Sequence, residues 1–186
     1  MRPILLMGPA GSGKDTAARL LAGEFHLATH RLTAPVLATL ETPMWQVILK
    51  SLMTAGHSPA DAQRLAKQAL GDAYRTLHEH TLVDALVERA HADVPAIVVP
   101  DVRLPGELDR FQTVWPDVLA IFCDVPGSVR EARLQTRDGH PLSLAAAHHH
   151  TERAVGLLRD RADYIWQNAH SAASHQLIQW VAGQVR

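Results

Sequence analysis

The chain has 186 residues, 47% of them apolar and 20% charged, which is the size and composition of a single soluble globular domain. Its formal net charge of -1 lacks the basic excess that drives nucleic-acid binding, so a nucleic-acid partner is not favoured. The only cysteine, Cys123, excludes an intramolecular disulfide and fits a reducing compartment. No apolar run has the length of a membrane span or a signal-peptide core, so we expect a cytoplasmic location and no membrane contact.

The first half of the chain predicts one strand, one loop and a long helical stretch. An apolar strand at 3–7 leads into a glycine-rich loop, and apolar residues at helical spacing follow it as far as Phe25. Residues 31–93 are predicted to be mostly helical. Ser58 is expected to cap a helix that has Pro59 at its first position. A last helix is predicted from Leu77 to near Ala92.

The second half alternates between apolar strands and helices. Further strands are predicted at 95–99, 118–123 and 164–166. Helices are predicted at 108–114, 126–137, 151–161 and 172–185, and residues 138–150 form a loop rich in Gly, Pro and His. Apolar strands that alternate with helices are typical of a parallel sheet covered on both faces.

These elements predict one α/β domain with a parallel sheet of about five strands and helices on both faces. The core is expected at about 1–30 and 95–186. The helical stretch at about 31–94 is too long for a simple crossover between strands, and we interpret it as an insertion that binds the acceptor. A short lid is expected at about 128–150.

The loop after the first strand reads GPAGSGK and fits the phosphate-loop pattern G-x-x-x-x-G-K. Glycines let successive backbone N–H groups curl around phosphate oxygens, and the next helix directs its positive end at the same anion. Lys14 is expected to bridge the β- and γ-phosphates of ATP. The predicted ATP-binding residues here are Gly8, Ala10, Gly11, Ser12, Gly13, Lys14, Asp15 and Thr16.

The position after Lys14 departs from the usual phosphate loop. A Ser or Thr normally binds magnesium there, whereas this chain has Asp15 followed by Thr16. Carboxylate oxygens suit Mg²⁺, so we expect Asp15 to hold the ion directly or through water. Asp101 follows a buried strand; it either ligates Mg²⁺ through water, holds Arg103, or simply caps the next turn. The expected cofactors are therefore ATP and Mg²⁺.

Several segments together resemble the phage-type deoxynucleoside monophosphate kinases, which have a P-loop fold. Residues 13–16 (GKDT) are similar to their phosphate loop, and residues 70–75 (LGDAYR) to their segment of a Gly followed by an Arg. Residues 101–107 (DVRLPGE) match their D-V-R-x-P-N-E segment, with Gly106 in place of the Asn. Residues 149–152 (HHTE) and 162–168 (ADYIWQN) are similar to their C-terminal pattern.

The resemblance implies ATP-dependent phosphorylation of a deoxynucleoside monophosphate, with small-molecule nucleotides as partners. Arg75 and Arg103 lie in matching segments and are expected to bind the acceptor phosphate, together with Asp101 and Glu107. A guanidinium fork pairs with phosphate in a bidentate way. The alternative for Arg75 is a solvated helix arginine paired with a neighbouring acid. No side-chain base is expected, because the acceptor phosphate is already ionised.

Arg130, Arg133 and Arg137 share one face of a predicted helix and are expected to act as catalytic lid arginines that neutralise charge in transit. The alternative is a solvated basic face. Asn168 follows the last strand, where similar kinases let the loop backbone contact adenine, and we count it among the ATP-binding residues. The alternative for Asn168 is a simple turn residue.

The run His148, His149 and His150 invites a metal interpretation. Adjacent residues point in different directions, and no Cys or carboxylate lies at a typical ligand spacing, so a loop-closing or hydrogen-bonding role is expected instead. Glu152 is expected to orient a lid arginine. Cys123 is expected to be an inert core thiol.

Three other functions remain open on the sequence. The protein is alternatively a P-loop kinase of a hydroxymethylated base in DNA, a phosphomevalonate kinase, or a non-catalytic ATP-binding module. The flat charge balance counts against the first, and the combination of the D-V-R segment with an arginine-rich helix counts against the last. The oligomeric state is open, with a homodimer as one option.

Overall fold

The computed structural model describes residues 1–139, 148–169 and 172–184. Five strands form one parallel sheet in the order β2-β3-β1-β4-β5. The strands are β1 (Ile4–Met7), β2 (Ala28–Thr29), β3 (Ile97–Val102), β4 (Leu119–Asp124) and β5 (Tyr164–Gln167). The predicted α/β class and five-stranded parallel sheet are therefore confirmed.

Helices connect the strands. The helix α1 (Lys14–Phe25) follows β1, and four helices lie between β2 and β3: α2 (Ala34–Leu40), α3 (Pro43–Thr54), α4 (Pro59–Leu77) and α5 (Thr81–Arg89). The remaining helices are α6 (Pro105–Val114), α7 (Gly127–Asp138), α8 (His150–Ala154), which continues as a 3₁₀ helix (Val155–Arg161), and α9 (Ala173–Gln184).

The sheet is buried on both faces because its successive side chains enter two different cores. Leu5, Val99 and Phe122 point into a core that α2, α4, α5 and α6 complete. Leu6 and Ile121 point into the other core, which α1 and α9 complete. This arrangement explains why β1, residues 97–99 of β3 and residues 119–123 of β4 are apolar at successive positions rather than at alternate ones.

The structure refines several predicted boundaries. Ser58 caps α4 as expected, with its Oγ accepting from the backbone N–H of Asp61 at 3.1 Å. The helix predicted from Leu77 was wrong at its start: α4 runs to Leu77, extended backbone at His78 ends it, and α5 begins at Thr81. Leu77 is 81% exposed, so its apolar character does not mark a buried face.

Two further predictions differ in detail or extend beyond the described residues. The helix predicted at 151–161 is α-helical only to Ala154 and then tightens into the 3₁₀ helix. The lid expected at 128–150 includes α7, but its residues 140–147 lie outside the described part of the chain. None of the helices that the structure describes is long and apolar enough to cross a membrane.

Candidate active site

The site lies where the carboxyl ends of neighbouring parallel strands meet. The donor loop, which we define as residues 8–14, follows β1, and Arg103 follows β3 directly. In the sheet, β1 stands between β3 and β4; the connection after β1 leads to β2 on one side, and the connection after β4 leads to β5 on the other. Crevices at such points are where open α/β sheets bind their ligands.

The donor loop depends on glycine at positions that no other residue fits. Gly13 has φ +95°, and a Cβ there would lie 2.1 Å from the Asn168 Nδ2 atom. Gly8 has φ +135°, and a Cβ there would lie 2.5 Å from the carbonyl oxygen of Cys123. The backbone therefore packs against β4 and the loop after β5, which fixes its curl.

Lys14 is held inside this loop. Its Nζ donates to the carbonyl oxygens of Gly8 and Pro9, both at 2.7 Å. Burial, reinforced by the nearby Arg103 guanidinium, lowers the pKa of Lys14 to about 7. A phosphate group beside this ammonium favours its charged form, so anion binding and protonation of Lys14 are linked.

The arginines of α7 face the donor loop in different ways. Arg130 Nε donates to the Ala10 carbonyl at 3.0 Å, and Arg133 donates to the Asn168 carbonyl at 2.8 Å. Asn168 Nδ2 in turn donates to the Ser12 carbonyl at 3.2 Å. Arg133 lines the cavity described below, whereas Arg130 does not. The predicted shared face therefore divides into one loop-anchoring arginine and two that reach the cavity.

The third arginine of α7 joins an ion-pair cluster with α4. Asp138 accepts from Arg137 at 2.7 Å and from Arg64 at 2.5 Å. The hydrogen bond from Arg137, together with that from Arg64, lowers the pKa of Asp138 to about 2. This cluster fixes the end of α7 to α4.

Arg75 on α4 is oriented by a buried carboxylate. Its Nε and one terminal nitrogen donate to Glu107 Oε1 at 3.1 and 2.7 Å. The other oxygen of Glu107 accepts from the backbone N–H groups of Arg103 and Leu104 at 2.9 and 3.1 Å. The structure thus revises the role expected for Glu107: it is 3% exposed, and it contacts Arg75 rather than the cavity.

Arg103 is paired with Glu152 of α8. The second oxygen of Glu152 accepts from the Ala10 N–H of the donor loop at 3.2 Å. Burial alone would raise the pKa of Glu152, but Arg103 and the Ala10 N–H hold it below its ordinary value. Glu152 therefore orients Arg103, and not a lid arginine as the sequence suggested.

Asp101 is committed to holding another loop. One carboxylate oxygen accepts from the Leu32 N–H at 2.8 Å, and the other accepts from the Thr33 N–H at 3.0 Å and its hydroxyl at 2.6 Å. Asp101 thus fixes the entrance to α2, 69 residues earlier in the chain, rather than the next turn named in the capping alternative. With both oxygens already accepting, it fits Mg²⁺ only through a bridging water.

Asp15 fits Mg²⁺ better than Asp101. Its side chain is 58% exposed, it lines the cavity next to Lys14, and within the described residues only its Oδ1 is paired, with Arg31 at 2.6 Å. Thr16 lines the same wall. This pair of residues with oxygen donors beside the phosphate loop suits a hard divalent cation.

A cavity of about 760 Å³ connects the donor loop, α4 and α7. Of the residues that the structure describes, nine cationic ones line it against four acidic ones. The cationic residues are Lys14, Arg19, Arg31, Arg64, Lys67, Arg75, Arg103, Arg133 and Arg137. A lining with this excess, in a chain of net charge -1, is suited to a strongly anionic ligand.

Sequence reasoning missed several of these residues. Arg64 and Lys67 lie on the same face of α4 as Gly71 and Arg75, so helical spacing from Arg75 would have found them. The pKa of Lys67 is lowered by burial and by Arg31, Arg64 and Arg137, which shows how closely the cations gather. Arg31 follows a strand of two residues that has no periodic signal.

Two of the three consecutive histidines meet a carboxylate from α4. His149 Nε2 lies 2.9 Å from Asp72 Oδ2, and His150 Nε2 lies 3.6 Å from Asp72 Oδ1. The sequence has no carboxylate at ligand spacing from these histidines, but the fold brings Asp72 next to them. The three ligand atoms lie within 4.8 Å of one another. However, the other nitrogen of His149 already contacts Thr151, and Arg75 stands 3.6 Å from Asp72. These contacts favour hydrogen bonding over a metal ion.

Comparison with known proteins shows the fold alone. A sugar kinase from Janibacter sp. HTCC2649 is 21% identical with a TM-score of 0.58, covering 100% of this chain and 94% of that one. A shikimate kinase from Acinetobacter baumannii, in complex with shikimate, is 15% identical with a TM-score of 0.56 (100% and 95% covered). A gluconokinase from Sinorhizobium meliloti 1021 is 18% identical with a TM-score of 0.52 (100% and 98% covered). The chain therefore has the P-loop fold found in these kinases. No family model and no curated protein matches the sequence.

Proposed function

We propose that the protein transfers the γ-phosphoryl group of ATP to the phosphate of a deoxynucleoside monophosphate. The observation that carries this proposal is the cavity lining, with nine cationic residues against four acidic ones between the phosphate loop and α4. Two anionic substrates meet in such a reaction, and their phosphates need cationic partners on both sides. The fold shared with known kinases supports the donor half.

The donor loop supplies the ATP site. Its backbone N–H groups and the start of α1 bind phosphate oxygens, and the Lys14 ammonium bridges the β- and γ-phosphates. Asp15 and Thr16 would hold Mg²⁺, and the ion would neutralise charge on the phosphates. Arg133 and Arg137 of α7 line the same space and stabilise the charge on the phosphoryl group in transfer.

Arg75 and Arg103 bind the acceptor phosphate. Both guanidiniums are held by buried or nearly buried carboxylates, Glu107 and Glu152, which fix their direction before a ligand arrives. Such preorganisation lowers the entropy cost of aligning the attacking phosphate oxygen with the γ-phosphorus. Arg31, Arg64 and Lys67 add positive charge along the acceptor side.

The carboxylates favour a phosphate acceptor over an alcohol. An alcohol must lose its proton, commonly to an Asp base, whereas a phosphate oxygen is already ionised. Asp15, Asp101, Asp138 and Glu152 are the acids that line the cavity, and each is paired with donors in the described part of the chain. The pKa of both Asp138 and Glu152 is also lowered, which makes them weak bases.

The test is ADP release with ATP and Mg²⁺ across a panel of acceptors. The panel contains the common deoxynucleoside and ribonucleoside monophosphates, phosphomevalonate, shikimate, gluconate and DNA with hydroxymethylated bases. We expect turnover with at least one deoxynucleoside monophosphate. Turnover with an alcohol alone, or with none of the free monophosphates, overturns the proposal.

A pair of arginine variants completes this test. Arg75→Ala is expected to raise the KM for the acceptor about 10- to 100-fold with little change in the KM for ATP, because a charge-assisted bidentate contact is lost. Arg110→Ala is the matched control, since Arg110 forms a surface pair with Asp84 away from the cavity. An equal effect of both variants would contradict the role given to Arg75.

A further inference from the structure

A closed ring of polar contacts joins the donor loop to Arg75. Ala10 of the donor loop donates to Glu152, Glu152 pairs with Arg103, and the backbone of Arg103 donates to Glu107, which holds Arg75. Thus four successive contacts connect the residues proposed to hold ATP with the arginine proposed to hold the acceptor.

The ring closes through Asp72 and His149, which we call the latch. Asp72 lies on α4 one turn before Arg75, with 3.6 Å between its Oδ1 and an Arg75 nitrogen. His149 Nε2 lies 2.9 Å from the Asp72 Oδ2 atom. At its other nitrogen, His149 accepts from the N–H of Thr151, in the first turn of the short helix that carries Glu152.

The chemistry of the latch assigns a direction to each hydrogen bond. The Nδ1 atom of His149 faces the Thr151 N–H and hydroxyl, and therefore acts as an acceptor. The Nε2–H then donates to Asp72. One neutral tautomer satisfies both contacts, so the imidazole works as a rigid connector between α4 and α8.

We propose that Asp72 and His149 are positioning residues that couple the ATP side of the cavity to its acceptor side. When the latch is closed, α8 holds Glu152 against both Ala10 and Arg103, and α4 presents Arg75 in register with them. Binding of one substrate then orients the residues that bind the other, because both sets of residues belong to the same ring of contacts. This inference rests on the proposed function for the identity of the substrates, but not for the coupling itself.

The neighbouring histidine provides a matched control. His150 is adjacent in sequence and nearly half exposed, and its Nε2 stands 3.6 Å from Asp72 Oδ1, so it lacks the hydrogen bonds through which His149 joins Asp72 to Thr151. Replacing His150 with Ala removes an imidazole from the neighbouring position and leaves the contacts of the ring in place. A difference between the two alanine variants therefore reports on the latch rather than on the loss of an imidazole.

The experiment measures binding by calorimetry with a non-hydrolysable ATP analogue, Mg²⁺ and each of the four deoxynucleoside monophosphates. In the full wild-type chain, the analogue is expected to tighten binding of the accepted monophosphate by about fivefold or more, a usual size for coupled sites. His149→Ala should reduce this factor toward one, and His150→Ala should leave it unchanged. His149→Gln, whose amide can both donate and accept, should recover part of it.

The kinetic readout separates positioning from general damage. His149→Ala and Asp72→Asn are expected to raise the acceptor KM about tenfold, and the double variant should be no worse than either, because opening the ring once is enough. Equal coupling factors in wild type and His149→Ala, or fully additive effects, overturn the inference. If Asp72→Asn fails to fold, the three histidine variants still decide.

The outcomes also separate this inference from the proposed function. The analogue alone probes the donor side, because Glu152 contacts Ala10 whichever acceptor is used. A weaker affinity for the analogue in His149→Ala but not in His150→Ala supports the ring even if no deoxynucleoside monophosphate binds. Turnover of a deoxynucleoside monophosphate with no difference between these variants supports the function and overturns the ring.

Discussion

The two sides of the cavity that we propose to bind the donor and the acceptor are built in opposite ways. The donor loop is one continuous segment whose glycine backbone makes the site, and Lys14 finds its partners within six residues. The acceptor side is assembled from residues far apart in the chain: Arg75 and Glu107 are 32 residues apart, and Asp72 and His149 are 77. A side-chain change in the donor loop should therefore act mainly on the use of ATP, whereas a side-chain change on the acceptor side should lower stability as well as acceptor binding.

The largest expected effect comes from the donor side. Lys14→Met keeps the length of the side chain but removes the charge that follows the transferred phosphoryl group, and kcat/KM should fall by about 10²–10³-fold. Steady-state kinetics measure this, with Lys50→Met on the exposed side of α3 as the control. An equal loss in both variants would contradict this role of Lys14, since Lys50 lies away from the cavity.

Glu107→Gln sharpens the comparison from the acceptor side. The buried carboxylate accepts from Arg75 and two backbone N–H groups, so losing its charge should cost about 1–3 kcal/mol of stability as well as raise the acceptor KM. Denaturant unfolding and acceptor kinetics are measured on the same protein. Glu131→Gln, an exposed glutamate of α7, is the control. A variant that loses acceptor affinity with no loss of stability would show that the two sides are built alike.

Gly13→Ala tests how strictly the donor loop depends on its backbone. The added Cβ meets Asn168 Nδ2 at 2.1 Å in a left-handed conformation, and we expect a loss of about 2 kcal/mol in the free energy of unfolding. Asn168→Ala in the same chain should recover the part that comes from the clash, while the part that comes from φ remains. Strictly additive losses in a double-mutant cycle would show that the two residues do not meet.

The smallest effect, when counted per pH unit, is a pH dependence that belongs to the donor loop. The pKa of Lys14 is about 7 in the folded protein, against an ordinary value of 10.5 that the unfolded chain retains, so between these values the unfolded chain binds more protons. The free energy of unfolding should therefore rise with pH across this window, by up to about 1.4 kcal/mol per pH unit from this residue. Lys14→Met should lack that part of the slope. Parallel pH profiles for the two proteins would contradict it.

The same division explains what the sequence could predict. The strand, glycine loop and helix around Lys14 are adjacent in the chain, so a local pattern predicts them. Uninterrupted apolar runs of strand length predict β1, β3 and β4. The strand β2 has two residues, too few for a periodic signal. Arg75 and Arg103, which line the cavity, are predicted only through the resemblance of the segments that carry them.

The partners of those arginines could not be predicted in the same way. A carboxylate that holds an arginine is recognised only when the fold brings the two together, as it does for Glu152 and Arg103, 49 residues apart. Asp101 shows the reverse case: its place after a strand suggested magnesium, but its oxygens accept from Leu32 and Thr33, which no local pattern connects to it.

The single thiol of the chain has a practical consequence for spectroscopy. Cys123 is fully buried in β4, and burial raises its pKa to about 12, so it stays protonated and unreactive toward maleimides at neutral pH. If a cysteine replaced an exposed residue, such as Ser128 at the start of α7, a fluorophore would react with that cysteine and not with Cys123. The fluorescence of this label would then report how the surroundings of α7 change as nucleotides are added, without removal of the native cysteine.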